Sequence, residues 1–254
     1  MIRLAARGVL LQFKLLSRSA FDMLNAAFWP LVFATIAYYL FRSGSHARSL
    51  FDASLGATVM TMWATVGIGA AFAIQWQRRL GTLELLIASP TPFIGLLAPI
   101  TIAYAGLGVY SLASTLLWGR VLFGIPVDPV HPFLFVLSLP AAILAIGMLG
   151  LLVSSSLILY RAAGALGNSL EYPIWIATGL LVPLSILPGW VRPISWLLAP
   201  TWGMRALRES ALGGSPLPAM GWCLVVSAAY AVLAAVFLGY FERLARDRAS
   251  FALT

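Results

Sequence analysis

Long apolar runs separated by short polar stretches dominate this chain of 254 residues. The runs are about 20 residues each, long enough to cross a hydrocarbon core about 30 Å thick as α-helices. They lack the period-two alternation that a barrel strand needs. The pattern predicts an all-α integral membrane protein with six transmembrane helices, at 23–41, 52–74, 93–118, 133–159, 172–187 and 219–240.

The first 22 residues differ from these runs because cations recur on one side of a helix. At about 100° per residue, Arg3, Arg7, Lys14 and Arg18 fall within roughly 60° of one another. This stripe predicts an interfacial amphipathic helix that lies on the cytoplasmic headgroups. A cleavable signal peptide is the alternative, but polar residues interrupt the apolar stretch and no small-residue cleavage site follows. We expect a single domain over 1–254, with the interfacial helix at 1–22 and a six-helix bundle at 23–254.

The polar stretch between the second and third apolar runs has the ends of a short helix. Residues 75–92 read QWQRRLGTLELLIASPTP. Gly81 permits a sharp turn, Thr82 is a suitable N-cap, and Glu84 lies in the first turn, where the helix dipole favours a negative charge. Two prolines end the helix. Its apolar side needs a cover, which is either lipid headgroups or a soluble partner protein.

The cations also orient the chain in the membrane. With six spans both termini lie on one side, and the 16 Lys and Arg divide into 10 on that side and 6 on the other. Because cytoplasmic segments carry the excess of Lys and Arg, both termini and the 75–92 stretch are predicted to be cytoplasmic.

Composition supports the membrane assignment. Apolar residues make up 61% of the chain and charged residues 9%, against about 25% charged residues in a soluble domain. The net charge of +8 does not indicate nucleic-acid binding, because the arginines are spread along segment ends instead of forming one patch. The one cysteine, Cys223, can form no intrachain disulfide.

Four hydroxyl residues fall on one face of the second predicted span. They are Ser54, Thr58, Thr61 and Thr65, at spacings of four, three and four, with Phe72 continuing the line. Two interpretations stay open. The hydroxyls bond their own helix one turn back, or the stripe marks a subunit interface or a translocation path.

The segment before the last span is rich in Pro, Trp and Arg. Pro188 is predicted to break the fifth helix, and Trp190, Trp196 and Trp202 follow at intervals of six, suited to the outer membrane interface. Short re-entrant helices fit this pattern if protein or a water-filled cavity covers them. The alternative is an aromatic belt without a gating role.

Several chemistries are missing from the sequence. There is no phosphate-binding loop, and Lys14 is the only lysine, so ATP hydrolysis is expected on another chain. No Cys or His cluster indicates a metal; His46 and His131 fall in predicted outer loops. Ser154 to Ser156 suggest an intramembrane protease only weakly, because no base is near.

The acidic residues bear on a second transport class, the proton- or ion-coupled secondary transporter. All of those considered fall at predicted segment ends or in loops, which disfavours a proton relay: Asp22, Asp52, Glu84, Asp128, Glu171 and Glu209. The two halves of the chain show no internal symmetry of the kind many such carriers have.

Two motifs resemble one family. Arg79 to Leu86 read Arg-x-Gly-Thr-Leu-Glu-x-Leu with Ser89-Pro90 after them, which resembles the cytoplasmic loop after the second helix in ABC-2 type transporter permeases. A second match, over 187–208, resembles the family's extracellular segment before the last helix. One departure is Gln75-Trp76-Gln77, where family members often carry an acidic residue.

The resemblance implies a dimeric exporter subunit. The loop would be the coupling helix that contacts the ATPase, through Arg78, Arg79, Gly81, Thr82, Leu83, Glu84, Leu86 and Ile87. The second and fifth helices would line the dimer centre, with Ser54, Thr58, Thr61, Thr65, Phe72, Tyr172 and Trp175 at the path or interface. The extracellular gate would hold Pro188, Trp190, Trp196 and Trp202.

The resemblance also implies the partners. Two copies of an ABC ATPase would carry ATP and Mg, and a second permease, identical or related, would complete the path, in contact with membrane lipids and with no nucleic acid. The expected place is the bacterial cytoplasmic membrane. The expected activity is ATP-driven export of a hydrophobic or amphipathic drug, lipid, glycan or peptide by alternating access, with no cofactor or metal on this chain.

Overall fold

The computed structural model describes residues 7–12, 14, 18, 20–41, 47–67, 69, 77, 80–82, 93–156, 163–180, 184 and 187–251. Every regular element in these residues is helical. The helices are α1 (Ala20–Phe41), α2 (Ala47–Met62, continued by a π turn at Trp63–Gly67), α3 (Phe93–Phe123), α4 (Pro132–Ser156), α5 (Ala163–Ala177), α6 (Val191–Leu197), α7 (Ala199–Leu212) and α8 (Pro216–Phe251).

The helices form two packed groups. One consists of α4, α7 and α8, and the other of α1, α2 and α3. The groups meet where α3 and the π turn lie against α4, and where α2 contacts α7. Helix α5 packs less extensively than the others, against α4, α6 and, through Trp175, Phe33 of α1.

Within the described residues, three helical stretches are long and apolar enough to cross a membrane, Pro99–Phe123, Pro132–Ser156 and Pro216–Leu244. They lie where the sequence predicts the third, fourth and sixth spans. The apolar part of α1, Ala27–Tyr39, is shorter. The six-span topology stays a prediction, because most of the chain from 68 to 92 lies outside the described residues.

The helix in the region of the predicted fifth span lies earlier in the chain than the sequence predicts. Helix α5 covers Ala163–Ala177 instead of 172–187. It ends because Gly179 takes a φ of 75°, and the N–H of Leu180 then bonds to the carbonyl five residues back, that of Trp175, at 3.2 Å. This is a common glycine-terminated helix end. Pro188 therefore does not break this helix, which has already ended at Ala177, eleven residues earlier.

Because α5 starts earlier than predicted, one acidic residue, Glu171, lies in the interior of the helix. Glu171 was expected at a segment end, but it is the ninth of the 15 residues of α5. The expectation that these acidic residues all lie at segment ends or in loops is therefore wrong for Glu171.

Glycines bring α2 and α3 close together. A Cβ on Gly108 of α3 would lie 2.5 Å from the side chain of Val66 in the π turn, and a Cβ on Gly69, two residues after that turn, would lie 2.4 Å from the ring of Tyr104 in α3. Small residues allow membrane helices to approach in this way. Substituting either glycine would push the two helices apart.

The described part of the N-terminal segment is helical at residues 7–12. A Cβ on Gly8 would lie 3.1 Å from Pro99, so this segment touches α3 near its start. Leu10 and Leu11 are exposed. The interfacial position of residues 1–22 stays a prediction.

Candidate functional site

The turn at Gly81 is the described part of the predicted ATPase-coupling segment. Gly81 has a φ of 67°, and the N–H of Thr82 bonds to the carbonyl of Gln77 at 3.1 Å. A left-handed glycine followed by an N–H bonded five residues back is a glycine-terminated helix end. A helix therefore ends at the point where the Gly-Thr-Leu-Glu motif begins.

The Thr82 hydroxyl also contacts Gln77. It donates to the backbone carbonyl at 3.2 Å and lies within hydrogen-bond distance of the side-chain carbonyl. The Thr82 side chain thus stabilises the end of the preceding helix through these hydrogen bonds. Its predicted role as N-cap of a following helix involves residues outside the described part of the chain, as do the other predicted coupling residues: Arg78, Arg79, Leu83, Glu84, Leu86 and Ile87.

The hydroxyl stripe of α2 lies inside the subunit. Ser54, Thr58 and Thr61 are 2%, 1% and 0% exposed, while Thr65 is half-buried. Each hydroxyl donates to a backbone carbonyl three or four residues back, at distances from 2.7 to 3.2 Å. Backbone bonding, one of the two interpretations of the stripe, is therefore present.

Two of these hydroxyls also meet α3. The Thr115 hydroxyl donates to that of Thr61 at 3.1 Å, and the Ser111 hydroxyl donates to that of Thr65 at 3.2 Å. The stripe is an internal contact between helices of one subunit in this conformation. A role in a translocation path or a subunit interface stays a prediction, and Phe72 lies outside the described residues.

The segment before the last helix forms two short helices, α6 and α7, as the sequence predicts in outline. Trp190 and Trp196 are 70% and 62% exposed, and Pro188 is exposed at the turn before α6. Trp202 stacks on Trp222 of α8 with ring centroids 5.8 Å apart, and its indole N–H donates to the Trp196 carbonyl at 2.9 Å. Whether these helices are re-entrant stays a prediction.

An ion pair that sequence reasoning missed joins α7 to α2. The Arg208 guanidinium donates to the Asp52 carboxylate at 2.6 Å and to the Gly179 carbonyl at 3.0 Å. The two side chains are 22% and 30% exposed. The Arg208 side chain thus connects α7 to the first part of α2 and to the end of α5. We call Arg208, Asp52 and Gly179 the clasp.

Two further contacts support the clasp. A Cβ on Gly56 would lie 2.7 Å from the Leu180 carbonyl oxygen, so α2 approaches the end of α5 backbone to backbone. The buried Ser195 hydroxyl of α6 donates to the Ala177 carbonyl. The segment before the last helix is therefore docked on both α2 and α5.

Aromatic rings connect α1 and α5. Trp29 stacks on Phe33 at 5.6 Å, Phe33 meets Trp175 edge to face at 5.7 Å, and Trp175 meets Tyr172 at 5.5 Å. Trp175 is 8% exposed and Tyr172 is 64% exposed. The predicted path residues of α5 thus belong to a ring cluster that runs from the core to the surface of the subunit.

Three helices of this length and apolarity, packed in one bundle, are typical of a helical membrane protein. The family model of the ABC-2 type transporter matches residues 3–212, more than half of the chain. The chain belongs to this family, which confirms the resemblance of the two motifs. It is the permease component of an ABC transporter, whose ATPase is a separate subunit. No curated protein matches the chain.

Proposed function

We propose that this permease subunit exports a hydrophobic or amphipathic substrate by alternating access, driven by two copies of a separate ATPase that binds ATP and Mg. A second permease, identical or related, completes the path. The subunit crosses the bacterial cytoplasmic membrane six times with both termini in the cytoplasm. The substrate is a drug, lipid, glycan or peptide.

The observation that carries this proposal is the position of the Gly81 turn. It ends one helix at the start of the family's coupling motif. A motion of the ATPase against residues 81–87 would therefore act directly on the helix that ends at Gly81. In α2, Asp52 is bonded to Arg208 of the segment before the last helix. In this proposal the second predicted span, which contains Asp52, carries the cytoplasmic motion to the outer gate.

The coupling role is tested with Glu84→Arg and Gly81→Pro. Charge reversal opposes a partly desolvated contact with the ATPase, and proline cannot adopt the positive φ of Gly81. We expect both variants to insert and dimerise, with weakened co-purification of the ATPase or with ATP hydrolysis that no longer drives export.

Asp128→Arg is the matched control, because Asp128 is exposed in the loop between α3 and α4, which the topology places outside. It should leave ATPase retention and export unchanged. Wild-type ATPase retention, hydrolysis and export in both loop variants would show that the loop only rests on headgroups. Export that persists without the ATPase and stops when the proton gradient is collapsed would instead support an ion-coupled carrier.

A further inference from the structure

The ring cluster of α1 and α5 is open on one side of the subunit. Phe28 is 53% exposed, Trp29 is 37% exposed and Tyr172 is 64% exposed. Phe33 and Trp175 form the buried floor, at 7% and 8%. Exposed rings thus lie at both ends of a chain of ring contacts that runs through this floor.

One acidic residue, Glu171, lies on the same helix as two of these rings. Glu171 precedes Trp175 by one helical turn, about 40° away around α5, and is adjacent to Tyr172. It is half-buried in the middle of the helix, and among the described residues it has no hydrogen bond or ion pair. A half-buried carboxylate without a partner is costly, and a cationic ligand would offset that cost.

A second polar group in the cluster also lacks a partner. The indole N–H of Trp175 is buried and makes no hydrogen bond. A buried indole N–H is normally satisfied. In this cluster the free donor and the free carboxylate lie one turn apart on the same face of α5, next to the exposed rings.

We propose that Glu171, Trp175, Tyr172, Trp29 and Phe33 form a binding site for a hydrophobic organic cation. This inference rests on the proposed export function and narrows its substrate class. The rings supply apolar contact and attract a cation through their faces, and the carboxylate supplies the opposite charge. A neutral lipid or a flat protein surface would leave the carboxylate unpaired.

The test uses two probes of equal size and opposite charge, tetraphenylphosphonium and tetraphenylborate. Binding is measured by equilibrium dialysis on the full-length permease in nanodiscs, without the ATPase, so that failure of the coupling loop cannot affect the result. We expect the wild type to bind the cation at least tenfold more tightly than the anion. Glu171→Gln should weaken cation binding about tenfold and leave anion binding unchanged.

Two variants complete the test. Trp175→Leu should weaken binding of both probes, because it removes a ring from the floor. Glu209→Gln, the same chemical change on α7, should alter neither, since Glu209 pairs with Arg205 at 2.7 Å, outside the ring cluster. Glu171→Gln keeps the shape of the side chain, and monodisperse size-exclusion profiles verify that the variants fold.

The proposal is overturned if the wild type binds both probes equally, because the face is then only an apolar surface for lipid or a second subunit. It is also overturned if Glu171→Gln binds the cation as the wild type does. Loss of ATPase coupling with cation binding intact would refute the export mechanism and leave the site standing.

Discussion

Breaking the clasp should cost more stability than breaking a similar pair on the same helix. Arg208 joins α7 to Asp52 of α2 and to the Gly179 carbonyl. Arg205 and Glu209, one turn apart on α7, form an ion pair of nearly the same length, 2.7 Å against 2.6 Å, which connects no second element among the described residues. The two pairs differ in what they join, so they make a matched comparison.

The burial of the clasp sets the expected magnitude. Removing one partner of a buried pair costs about 3 to 5 kcal/mol, whereas an exposed pair contributes about 0 to 1 kcal/mol. The side chains of Arg208 and Asp52 are 22% and 30% exposed, between these limits. We expect Arg208→Met to lose about 2 kcal/mol, and Glu209→Gln about 0.5 kcal/mol. At about 2 to 4 °C per kcal/mol, the melting temperatures fall by about 4 to 8 °C and about 1 to 2 °C.

The single cysteine provides the assay. Cys223 is fully buried in α8, where its thiol faces the Ala141 carbonyl of α4 at 3.4 Å. A thiol-reactive fluorophore will label it only when the bundle opens, so the labelling temperature reports unfolding without a new tag. Asp52→Asn, Arg208→Met and the double variant form a cycle whose coupling should be about 1 kcal/mol or more. Additive effects, or equal melting of Arg208→Met and Glu209→Gln, would refute the clasp.

Two other predictions follow. Gly56→Ala should lower the melting temperature, because its Cβ would lie 2.7 Å from a backbone oxygen, whereas Gly239→Ala, with nothing within 4 Å, should leave it equal or raise it slightly. For topology, cysteines at positions Ser45 and Ser215 should react with an impermeant thiol reagent in intact cells and one at Thr82 should not; labelling at Thr82 would invert the topology.

The long apolar helices could be predicted because composition alone determines them. The spans expected at 93–118 and 133–159 are the cores of α3 and α4, since an uninterrupted apolar run of this length has no other stable state in a membrane. The same reasoning places the fifth helix too late in the chain. In the predicted span 172–187 many of the apolar residues follow Ala177, but the backbone leaves the helix at Gly179. Hydropathy locates apolar sequence and does not locate helix ends.

The clasp and the ring cluster could not be predicted in the same way. Asp52 and Arg208 are 156 residues apart in sequence, and nothing in the local pattern around either residue indicates its partner. Phe33 and Trp175 meet only because α1 and α5 pack together. For Glu171 a local signal existed: the Thr178-Gly179 pair could end a helix, and a helix that ends there places the carboxylate in its interior.

The contacts of α2 indicate which parts of the subunit should move together during transport. Thr61 and Thr65 bond to Thr115 and Ser111, and glycines allow α2 and α3 to touch closely, so these two helices form one unit. Helix α5 packs loosely by comparison, and its end is held to α2 by backbone contact and the clasp. A motion that separates α5 from α2 would therefore break the clasp and change the ring contacts of α5. Because Glu171 lies on α5 with two of those rings, the same motion would alter the affinity of the proposed cation site, which is the change in affinity that the proposed alternating access needs.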